Sequence, residues 1–111
     1  MRVFALYVKF FAHYFWLCRA VLFTLMTIVC GNGFLFAYLE NKSIFSSIYF
    51  ILITALTIGY GDITPATTWG RIISVITGTI GVIIVGLIIA ISNLALNNTV
   101  RTIFKDKINP I

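Results

Sequence analysis

Charged residues are so sparse along the chain that three stretches carry no Asp, Glu, Lys or Arg: residues 20–39, 43–61 and 72–100. A helix that crosses a bilayer needs about 20 mostly apolar residues. The first and third stretches therefore predict membrane helices, at residues 19–40 and 69–100. The middle stretch predicts a different element. Residues 43–56 read as helix, but Gly59 and Gly61 break the pattern. Ser46, Ser47, Thr54 and Thr57 also make this stretch the most polar of the three. Upstream, residues 1–18 predict an amphipathic helix on the membrane surface. Arg2, Lys9 and His13 fall within about 40° of one another on a helical wheel, away from Phe4, Phe11 and Phe15, with Leu6 at the edge of the polar stripe. A signal peptide fits poorly, because Lys9 and His13 interrupt its apolar core and no small-residue cleavage site follows. Tyr14, Phe15 and Trp16 at one end, with Tyr38 and Trp69 toward the other, suit aromatic belts at the two membrane faces.

Composition agrees. The 111 residues are 60% hydrophobic and 10% charged, with a mean hydropathy of +1.06. A soluble domain of this length has too little interior to hide so much apolar side chain. That excludes an ordinary soluble enzyme, a disordered chain and a disulfide scaffold. Cys18 and Cys30 read as buried thiols rather than metal or redox residues. The net charge of +5 sits at the edges of the apolar stretches, a pattern of membrane orientation and not of nucleic-acid binding. Arg2, Lys9, Arg19, Arg101, Lys105 and Lys107 crowd the two ends, whereas Glu40, Lys42, Asp62 and Arg71 cancel between the spans. By the positive-inside rule both termini are cytoplasmic, so the number of crossings is even. Two helices cross, and the middle segment dips in and returns. Backbone that leaves the helix at membrane depth is tolerated only when buried in protein or lining a watery cavity. The layout predicts a pore.

The chemistry lies in Thr57-Ile58-Gly59-Tyr60-Gly61-Asp62. A dehydrated alkali cation needs oxygens in place of its water shell, and backbone carbonyls supply them without a fixed charge that would trap it. Successive carbonyls face one way only if the backbone alternates between ordinary and left-handed dihedrals, which glycine allows at Gly59 and Gly61. The Thr57 hydroxyl adds an oxygen at the inner end. Ile58 and Tyr60 are expected to point away from the axis. The preceding helix aims its partially negative C-terminus at the ion path.

Over about residues 20–96 the sequence resembles the tetrameric potassium channel family. Residues 43–50 are similar to its pore helix, and 57–61 to its signature filter, with Ile58 where the usual string has Val. Asp62 matches the acid that follows the filter, and Trp69-Gly70-Arg71 resembles the start of the inner helix. Gly81 falls where many members have a hinge glycine. Two departures stand out: Leu56 replaces a common second Thr, and Ile53 replaces a Glu that some members bury behind the filter. The resemblance implies an all-α homotetramer in which Thr57, Ile58, Gly59, Tyr60 and Gly61 of four chains form the filter, with potassium held at Thr57, Ile58, Gly59 and Tyr60. Asp62 either bonds Tyr49 to support the filter mouth or is a solvated loop acid.

The expected protein is thus a potassium-selective, passive pore in the cell membrane, with lipid and potassium ions as its partners. It is not an enzyme, and it needs no cofactor. Its single domain comprises the surface helix 1–18, outer helix 19–40, pore helix 43–56, filter 57–62, inner helix 69–100 and cytoplasmic tail 101–111. Two alternatives compete: a weakly selective cation channel of the same fold, and a non-conducting membrane subunit. No span carries a basic residue at every third position, so a voltage sensor is not expected. The chain is either a complete minimal pore or one cut from a larger protein with a regulatory domain. Several residues keep two readings. Gly78, Gly81 and Gly86 serve either as hinges or as close-packing sites. Val85, Ile89 and Asn93 face either the cavity or a neighbouring helix. Asn41-Lys42-Ser43 is either a glycosylation sequon or a turn. His13 is either part of a polar face or a pH sensor.

Overall fold

The computed structural model describes residues 1–109. They form three helices, α1 (Arg2–Glu40), α2 (Ile44–Ala55) and α3 (Thr68–Ile108), with no strand among the described residues. The last two residues of the expected tail lie outside that range. At 1.5 Å per residue, the 39 residues of α1 and 41 of α3 extend about 58 and 61 Å. Both helices are long and apolar enough to cross a membrane. Among the described residues the regular structure is all helical, with two long apolar helices flanking a short one.

Side-chain chemistry accounts for the element ends. Asn41, just past α1, adopts a left-handed conformation with φ +52°, and the Lys42 amide donates to the Ala37 carbonyl at 3.1 Å. This is a Schellman stop, where Asn is one of the few residues that tolerates the left-handed position. Ser43 caps α2, accepting from the Ser46 amide at 3.2 Å. Both outer residues of the Asn41-Lys42-Ser43 sequon are therefore used as helix caps. Thr67 caps α3 in the same way, its hydroxyl accepting from the Gly70 amide at 3.0 Å.

The contacts divide into two compact units. One comprises Val21–Val85. Its core holds Val29, Phe36, Phe50, Ile51 and Ile84, with the Phe36 and Phe50 rings stacked at 4.5 Å. Gly33 lets α2 come close to α1, since a Cβ there would lie 2.6 Å from Ile48 Cδ1. Asn32 donates to Thr77 Oγ1 at 2.9 Å, a polar link of the kind that joins helices in apolar surroundings.

The other unit is Met1–Ala20 with the chain from Gly86 onward. Ile91, Ala95 and Thr99 are its buried residues. Tyr7, Phe11 and Phe15 make an aromatic row, with centroids 6.0 and 6.2 Å apart. Residues 1–18, expected as a separate surface helix, are continuous with the outer helix in α1. No Gly or Pro interrupts Trp16-Leu17-Cys18-Arg19-Ala20, so nothing in the backbone ends the helix there. Tyr7 and Tyr14 are hydrogen-bonded to Ser92 and Asn98 of α3.

Candidate functional site

The site is built from the C-terminal end of α2. Ile51, Ile53 and Ala55 are buried, which fixes this end against its surroundings. The helix unwinds through Leu56 and Thr57, whose amides still donate to Leu52 O and Thr54 O at 2.9 and 3.1 Å. The next two amides converge: Ile58 N and Gly59 N both donate to Ile53 O, at 2.8 and 3.2 Å. The Ile53 side chain packs while its carbonyl holds the loop. Sequence reasoning missed this anchor, because a backbone group leaves no residue-type signal.

Dihedrals through the loop alternate. Thr57, Gly59 and Gly61 have φ of +63°, +57° and +81°, and Ile58 and Tyr60 are not in the left-handed region. A Cβ at Gly59 or Gly61 would meet nothing within 4 Å. Glycine is thus required here by conformation and not by space within the chain. Thr57 goes beyond the expectation, since a β-branched residue at positive φ is a true outlier. Its hydroxyl donates to the Leu56 carbonyl at 2.6 Å, a local bond that helps hold the conformation. Among the described residues, no hydrogen bond is accepted by the carbonyls of Thr57, Ile58, Gly59, Tyr60 or Gly61. Five consecutive main-chain oxygens are left for another partner.

The outer end of the loop is tied down twice. Tyr49 donates its hydroxyl to Asp62 Oδ2 at 3.1 Å, joining α2 to the residue after the loop. Farther along, the Glu40 carboxylate accepts from the Ala66 and Thr67 amides, the latter at 2.9 Å. Glu40 stands at the C-terminus of α1, where the helix dipole disfavours an acid. Its placement there is the one sequence hint that it serves another element. A Cβ at Gly70 would lie 2.9 Å from this carboxylate, so Gly70 makes room for the Glu40 link.

Gly81 supports the site from behind. A Cβ there would lie 2.0 Å from Ala55 O and 2.5 Å from Ala55 Cα. Backbone cannot yield as a flexible side chain does, so the close approach of α3 to the end of α2 requires glycine at this position. Gly78 and Gly86 have looser surroundings, with Thr54 Cγ2 at 3.9 Å from the first and nothing near the second. Tyr60 is 70% exposed and Ile58 48%; within one chain neither has the cover expected behind a filter. Ile89 and Asn93 are exposed on α3. Cys18 and Cys30 are free and partly exposed. His13 is exposed, with its ring edge against Tyr14.

A family profile described as "Ion channel" matches residues 3–97. Among curated proteins, the rat intermediate conductance calcium-activated potassium channel protein 4 is 47% identical over 45 residues, covering 40% of this chain and 11% of that protein. A probable potassium channel protein 2 of Methanocaldococcus jannaschii is 38% identical over 60 residues, 54% of this chain and 18% of that protein. A voltage-gated potassium channel of Aeropyrum pernix is 37% identical over 54 residues, 48% of this chain and 18% of that protein. The chain therefore spans less than a fifth of the length of these relatives. No solved structure matches it significantly.

Proposed function

The chain belongs to the ion channel family matched over residues 3–97, and from that premise we propose that it is a potassium-selective pore conducting passively down the electrochemical gradient. The observation that carries the reading is the loop after α2. Its left-handed dihedrals at Thr57, Gly59 and Gly61 alternate with ordinary ones, and among the described residues its carbonyls accept no bond. Alternation of this kind turns successive carbonyls toward one side, where they replace the hydration shell of an ion. The named potassium channels among its relatives support potassium as that ion.

One loop between two spans cannot surround an ion. Closed cyclic symmetry is the usual way to complete such a ring, and the family resemblance makes the number of copies four. Thr57, Ile58, Gly59, Tyr60 and Gly61 of each copy then stack as potassium cages, with the Thr57 hydroxyl at the inner end. Ile58 and Tyr60, open in the single chain, are covered by the neighbouring copies. Ile53 O, Tyr49 and Asp62 hold the loop in register. The tetramer sits in the cell membrane with both termini cytoplasmic, where the excess of Arg and Lys lies. Ions pass by knock-on between adjacent cages, with no bond made or broken in the protein.

Flux from vesicles tests this directly. Potassium-loaded liposomes containing the purified chain should lose potassium in sodium buffer once a protonophore balances charge. Equal release from liposomes loaded with sodium instead would favour a weakly selective cation channel, and release no faster than from empty liposomes would contradict the pore.

A further inference from the structure

The N-terminal third of α1 and the C-terminal half of α3 are joined by side-chain bonds that conduction does not use. Tyr7 Oη and Ser92 Oγ are 2.6 Å apart. Asn98 donates its side-chain amide to Tyr14 Oη, and Arg2 is paired with Asp106. Tyr7 and Tyr14 are seven residues apart and so lie on one face of α1. The opposing face of α3 carries Ala95 and Thr99, both fully buried; such small residues let helices approach closely in membranes. The two tyrosine links are part-buried. The Arg2–Asp106 pair is open, at 71% and 46% side-chain exposure, and adds little.

We infer that the Tyr7–Ser92 and Tyr14–Asn98 bonds form a latch that holds the cytoplasmic half of the inner helix against residues 2–14 and keeps the pore at rest. This rests on the pore reading above, because a latch has meaning only where that half of α3 moves to open a conduction path. The bonds are made within one chain and need no neighbouring copy to form. Breaking them frees the half of α3 that a gate must move. The N-terminal segment thereby becomes the handle through which a regulatory input reaches the pore.

The test removes one hydroxyl at a time. Tyr7→Phe and Tyr14→Phe keep the ring and its packing and delete only the bond. Each should raise single-channel open probability about fivefold, the scale of one lost hydrogen bond, while leaving conductance and potassium selectivity unchanged. Ser92→Ala should match Tyr7→Phe, and the double variant should exceed neither single one. Unchanged open probability in both tyrosine variants, or fully additive effects in the double variant, would overturn the latch. Amide exchange in nanodiscs reads the same bonds without current: Tyr14→Phe should speed exchange over residues 92–106, and unchanged exchange overturns the latch even in a silent protein. An unmodified chain that passes no ions contradicts the pore reading instead, which keeps the two failures apart.

Discussion

At the scale of single residues, the glycines of this chain are there for different reasons, and the structure separates them. Gly59 and Gly61 have open space around them but hold φ values that side-chain-bearing residues rarely adopt. Gly59→Ala or Gly61→Ala should therefore leave assembly intact and abolish potassium selectivity. Ion competition on the reconstituted variants checks this, and retained selectivity would detach the filter role from these positions. Gly81 is the reverse case: its helical conformation suits any residue, but the Ala55 backbone leaves no room for a methyl group. The left-handed positions at Gly59 and Gly61 were legible in the sequence because glycine adopts that conformation at little cost. The Ile53 carbonyl was not, since every residue has one and only the fold selects it. The left-handed Thr57 was also hidden, because a β-branched side chain argues against that conformation.

At the scale of elements, the short helix α2 is positioned by its two ends and its back. Ser43 caps the start, Ile53 O gathers the loop at the finish, and α3 presses on Ala55 through Gly81. Gly81→Ala should push these helices apart and cost about 1–3 kcal/mol, the usual range for overpacking. Gly86→Ala, with nothing within 4 Å of the added methyl, should be neutral or stabilising by up to about 1 kcal/mol. Unfolding midpoints of both variants in micelles make the comparison; equal midpoints would remove the packing role of Gly81. Length and lack of charge made α1 and α3 legible as membrane helices. The continuity of α1 through Cys18 was not, because a polar stripe at Arg2, Lys9 and His13 reads alike on a surface helix and on one face of a paired helix. The partners of Tyr7 and Tyr14, Ser92 and Asn98, are supplied only by the fold.

At the scale of the whole molecule, Tyr60 and Ile58 are exposed and the loop carbonyls accept no hydrogen bond among the described residues, which is consistent with the proposed ring of copies. The loop after α2 is anchored at one end by Ile53 O and at the other by the Tyr49–Asp62 bond. In the proposed pore, anchoring at both ends would hold the row of carbonyls in place while ions pass along it. The central claim is a potassium-selective pore made by copies of this chain. The most direct measurement is the reversal potential of the purified protein in a planar bilayer, with potassium on one side and sodium on the other. A potential far from zero, in the sense of potassium permeability, is the predicted result. A current that reverses near zero would contradict selectivity and make the chain a nonselective cation channel of the same fold.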